Sequence, residues 1–152
     1  MLPSMSSVER ETELVELRAA PDPGPVDAYE VEEILAEWQL RLGLDRWDID
    51  ISWTEPVDAD EAFAEITAEN PYDVAALRLS PRWSEWDRRM LNLTIAHELC
   101  HLLIRDLWLA AESVESFAPP HAWSVFKSRW DHHEEQAVDR LAKTLVDRLG
   151  MA

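Results

Sequence analysis

The residues best equipped for chemistry are His97-Glu98-Leu99-Cys100-His101, an HExxH pattern. Side chains four apart on an α-helix differ by about 40° in direction and about 6 Å in rise, so both imidazoles can reach one ion at roughly 2.0 to 2.1 Å. Glu98 then points to one side of the pair, where its carboxylate can meet a metal-bound water without taking a coordination position. That is the place of a general base. The segment stands inside the apolar run Leu91, Leu93, Ile95, Ala96, Leu99, Leu102, Leu103, Ile104 and Leu107. Such a run predicts a central, buried helix, in which two histidines and a glutamate are costly unless paired or metal-bound. Cys100 lies about 60° from His97 around the helix and reads as a small packing residue.

A catalytic zinc centre usually has three protein ligands and one open position. The metzincin continuation is absent, because Ile104 and Leu107 stand where its glycine and third histidine would fall. The candidates downstream are His121, His132, His133, Glu134 and Glu135. Asp131 followed by Glu134 reads as the start of the last helix, with Glu134 suited to a reciprocal cap, which leaves Glu135 free. Stripe geometry alone does not separate the two glutamates, since they flank the apolar face almost symmetrically, each roughly 50° from its centre. Asp139 lies one turn beyond Glu135 on the same side, where it could accept a hydrogen bond from a ligating imidazole. His121 and Tyr72 read as surface groups that could also polarise a carbonyl.

Several elements must position this helix. Residues 1 to 26 end in Pro21-Asp22-Pro23-Gly24-Pro25 and read as a flexible acidic arm, leaving residues 27 to 152 as one domain. Asp27 with Glu30 starts an amphipathic helix carrying Val31, Ile34, Leu35, Trp38 and Leu42, which Gly43 closes. Trp47, Ile49, Ile51 and Trp53 alternate with polar residues, as in a half-buried strand. Residues 62–69 and 73–79 flank Asn70-Pro71-Tyr72 as a hairpin, and 73–79 reads as a sheet edge open to an extended substrate. Residues 108–130 read as a connector with a short helix. Val138, Leu141, Ala142, Leu145, Val146 and Leu149 then form the stripe of a final helix.

An HExxH helix followed by Glu135-Gln136-Ala137-Val138-Asp139-Arg140-Leu141-Ala142 resembles the ImmA/IrrE-type metallopeptidases, a gluzincin group common in phages and mobile elements. The order of elements over residues 28 to 149 agrees with that group. Ala137 and Leu141 stand where the family has a second glutamate and a phenylalanine. The resemblance implies a minimal zincin-like α+β fold, with a small, mostly antiparallel sheet packed against the HExxH helix and a C-terminal helix. It also implies that His97, His101 and Glu135 bind zinc, that Glu98 is the base, and that Asp139 supports the ligands from behind.

Composition bounds the alternatives. A chain of 152 residues matches one domain, and its formal charge of -17 disfavours nucleic acid as a partner. No apolar run is long enough for a membrane span, and the start lacks a signal core. One cysteine cannot form an internal disulfide, which fits a cytoplasmic protein. The expected activity is zinc-dependent hydrolysis of peptide bonds in a protein substrate, through a water activated by Glu98. The alternative is a non-catalytic zinc-stabilised interaction module, which would need a fourth protein ligand such as His132 or Cys100. A metal-dependent nuclease conflicts with the acidic balance.

Overall fold

The computed structural model describes residues 26–58, 62–69 and 72–149. Among these residues, three helices and three strands follow in the order α1 (Ala28–Arg41), β1 (Asp48–Ile51), β2 (Ala64–Glu69), β3 (Val74–Leu79), α2 (Arg88–Glu112) and α3 (Pro120–Leu149). The architecture is α+β with a small mixed sheet. Short 3-10 turns at Trp83–Glu85 and Glu115–Phe117 precede α2 and α3. Of the proposed N-terminal arm, residues 1–25 lie outside the described residues, whereas Val26 is buried in the core.

The first helix forms where its cap and periodicity place it. Asp27 accepts the Glu30 amide at 2.9 Å, and Val31, Ile34, Leu35 and Trp38 are buried along one face. Gly43, at φ +68°, turns the chain where a side chain would be strained. The second helix starts the same way, with Asp87 accepting the Met90 amide at 2.7 Å. Its first half is buried through Leu91, Ile95, Ala96, Leu99 and Leu102, while Leu103 and Leu107 beyond it are exposed. Buried Asn92 locks α2 to α1: its carbonyl accepts the Trp38 indole N–H at 2.8 Å, and its amide donates to the Arg88 carbonyl at 2.8 Å. Both polar groups of a fully buried amide are thereby satisfied, which fixes the rotation of α2 and hence the direction of its histidines.

The strand order is β1-β3-β2. β2 and β3 form the expected antiparallel hairpin, in the register Ala64↔Leu79 to Glu69↔Val74. β1 pairs with β3 in parallel, Asp48↔Val74 to Ile51↔Leu77, so the expectation of a mostly antiparallel sheet is corrected to one pairing of each kind. The strand 73–79 is therefore central rather than an edge. Its backbone is committed on both sides, and β2 is the edge that faces α2. Alternation places Ile49, Ile51, Ala64, Ile66, Ala68, Ala75, Leu77 and Leu79 in or against the core.

The last helix departs most from expectation. It does not begin at Asp131 but at Pro120, and runs 30 residues without interruption. Proline at the first helical position costs no hydrogen bond, and its fixed φ suits a helix start. Trp123, Phe126 and Trp130 then recur at helical spacing and pack with Trp108 of α2, with ring centroids 5.2 to 6.1 Å apart. Packing among these partly exposed rings stabilises the upstream half of the helix. Further along, Val138, Ala142 and Val146 bury the stripe that seats α3 against α2. Asp131 is consequently a mid-helix residue bonded to Lys127, and Glu134 caps nothing.

Candidate metal centre

The buried half of α2 ends at the histidines, and α3 passes opposite them. His97 Nε2 and His101 Nε2 are 3.3 Å apart. Glu135 on α3 brings one carboxylate oxygen to 3.4 Å from His97 Nε2 and the other to 3.5 Å from His101 Nε2. Donors at 2.0 to 2.1 Å from a tetrahedral ion are separated by about 3.3 to 3.4 Å, the edge of the tetrahedron. The two imidazoles stand at that spacing, each has one oxygen of Glu135 at nearly the same distance, and with one donor atom from each residue within 4.8 Å of the others the three form a group able to hold a metal ion. Among the described residues that group has three members, and Glu135 is 62% exposed, so its open side faces the cleft.

The donor chemistry fits a divalent ion of borderline softness, served by imidazole and carboxylate. His101 Nδ1 donates to Glu134 Oε1 at 3.0 Å, which turns the Nε2 lone pair toward the other donors. The second oxygen of Glu134 accepts the Trp130 indole N–H, so this carboxylate is held from both sides. Burial and the neighbouring His101 hold His97 below the ordinary histidine range, against the opposing pull of Glu135 and Asp139. The ring is therefore neutral at neutral pH, the form that binds a metal.

Glu98 lies on the adjacent side of α2, buried at 8% exposure. Its Oε2 accepts the Ile66 amide of β2 at 3.0 Å. Burial pushes the Glu98 carboxyl up to about 7, while His101 and the Ile66 amide oppose the rise. Glu98, the two histidines and Glu135 all line one open cleft of about 1220 Å³ between β2, α2 and α3.

Of the residues expected at the site, His97, His101 and Glu135 converge and Glu98 stands beside them. Asp139 lines the same cleft and acts on His97 through its charge, but its carboxylate accepts from Lys143 at 2.7 Å, and Glu134 makes the hydrogen bond expected of it. Cys100 is buried with its thiol pushed up to about 11 by burial, outside the donor group. His132 contacts Gln136 at 3.1 Å on an exposed face, and His133 stacks edge-on with it. His121 and Tyr72 are exposed and do not line the cleft. The supporting role of Glu134 escaped the sequence reading. The signal for it was the helical spacing of Trp123, Phe126 and Trp130, which continues the helix upstream of Asp131.

The chain matches no protein-family model, no curated protein and no solved structure, so its functional reading stands on this geometry.

Proposed function

We propose that this chain is a zinc-dependent metallopeptidase of the ImmA/IrrE type, with a zincin-like site that hydrolyses peptide bonds of a protein substrate in the cytoplasm. The observation that carries the reading is the convergence of His97, His101 and Glu135, with one donor atom from each within 4.8 Å of the others, and a buried carboxylate next to them. When bound there, zinc would polarise the scissile carbonyl and lower the pKa of a water. Glu98 accepts a proton from the attacking water and returns it to the leaving amine. A carboxyl poised at about 7 exchanges a proton in either direction near neutral pH. Glu134 holds His101 in one tautomer throughout.

The substrate strand belongs on β2. Ile66 turns its amide away from β3 to Glu98, and Ala68 turns its carbonyl to Arg105, so alternate residues of β2 present their backbone toward the cleft. An extended peptide adds to such an edge by main-chain hydrogen bonds. The rival reading, a metal that only joins α2 to α3, calls for a fourth protein ligand, and His132 and Cys100 both lie outside the donor group.

The test is cleavage of an unbiased peptide pool by zinc-loaded protein, followed by mass spectrometry. Wild type cleaves, and Glu98→Gln binds zinc equally while losing about 10²- to 10⁴-fold in rate. A zinc-loaded wild type that cleaves no peptide, or a Glu98→Gln variant of undiminished rate, overturns the proposal.

A further inference from the structure

Arg105 is the cleft's unneutralised cation. The other two bases lining it are spoken for, since Lys127 bonds Asp131 and Lys143 bonds Asp139. Among the described residues, no carboxylate lies within ion-pair distance of Arg105. Its Nη2 donates to the Ala68 carbonyl over a long 3.4 Å, and its guanidinium carbon sits 5.8 Å from the centroid of the Trp47 ring. Four of its five N–H donors are thus unspent, on a planar group held against an aromatic ring and facing a cleft. Anchoring Ala68 alone would need only a neutral donor. A guanidinium with no carboxylate in ion-pair reach, in a chain of charge -17, is instead suited to a carboxylate delivered from outside.

The geometry also fixes where along a substrate that carboxylate must lie. Glu98 meets Ile66 and Arg105 meets Ala68, so β2 and α2 run the same way along the cleft. A strand added antiparallel to β2 runs the opposite way, with its N-terminal part toward Arg105. From the level of the histidine pair to Arg105 is about 6 to 9 Å along the helix, which two to three extended residues span.

We propose that Arg105 is a specificity-determining residue that receives an aspartate or glutamate side chain two to three residues on the N-terminal side of the scissile bond. This rests on the peptidase reading above. Peptide-pool cleavage is compared for wild type, Arg105→Glu and Arg105→Gln, the last of which keeps a donor for the Ala68 carbonyl and controls for folding. Wild-type cuts are enriched in Asp and Glu at those positions, with kcat/KM about tenfold above the lysine-substituted peptide. Arg105→Glu reverses the preference and Arg105→Gln abolishes it. Cleavage without that enrichment, enrichment on the other side of the cut, or a preference unchanged in both variants overturns the assignment. Should wild type cleave nothing, the peptidase reading fails, and calorimetry on zinc-loaded Glu98→Gln protein decides on Arg105 alone. An acidic peptide then binds about tenfold tighter than its lysine counterpart, and adding Arg105→Gln removes the difference. Equal or absent binding counts against Arg105.

Discussion

Glu98 makes the metal-free protein's stability depend on pH in a way that one substitution isolates. The folded carboxyl sits at about 7 because burial disfavours its charge, while an unfolded glutamate titrates near 4.3. With the folded value above the unfolded one, the contribution to stability is fully present below about pH 4 and is lost as pH rises through about 7. The difference corresponds to about 4 kcal/mol at pH 8, an upper value because the open cleft admits water. Glu98→Gln cannot ionise, and its side-chain carbonyl keeps an acceptor for the Ile66 amide. In chelator, the variant should unfold with wild type near pH 4.5 and up to about 10 °C above it at pH 8, as read by calorimetry. His97 titrates in both proteins and drops out of the comparison, although its own lowered value acts oppositely, with stability lost as pH falls. An equal Tm at pH 8, or the same displacement at both pH values, would refute the argument that Glu98 is a desolvated carboxyl.

Three further outcomes follow. Glu134→Ala frees His101 to rotate and should weaken zinc binding about 10- to 100-fold in a competition titration, with the fold intact. Asn92→Ala strands the buried Trp38 indole N–H and should cost about 2 to 3 kcal/mol in denaturant unfolding, without changing zinc stoichiometry. Chelation should leave the far-ultraviolet circular dichroism unchanged, because the core of Trp38, Ile34, Leu77, Leu91, Ile95 and Leu99 closes without the metal donors; collapse of the spectrum would indicate a structural site instead.

The parts of this molecule legible in its sequence are those set by local chemistry. The Asp27 cap, the alternation around Ile49 and Ile51, the hairpin at 62–79 and the apolar run around His97 each report a short-range preference that the fold obeys. What escaped depends on partners remote in sequence. The pairing of β1 with β3 is set by a crossover that no local pattern encodes, and it moved the open edge from 73–79 to β2. The start of α3 was misplaced because Asp131 and Glu134 mimic a cap, whereas packing of Trp108 against Trp123 and Trp130 extends the helix through them. That error assigned Glu134 to a helix end and hid its bond to His101. The preference for Glu135 over Glu134 rested partly on that absent cap; the position of Asp139 one turn on and the family resemblance pointed to Glu135 without it.

Zinc-edge X-ray absorption on the loaded protein tests the central claim most directly. The account predicts one zinc per chain with two imidazole nitrogens and oxygen ligands at about 2.0 to 2.1 Å, and loss of one oxygen contribution or of the metal itself in Glu135→Ala. A sulfur ligand at about 2.3 Å, a third imidazole, or a spectrum untouched by Glu135→Ala would contradict it.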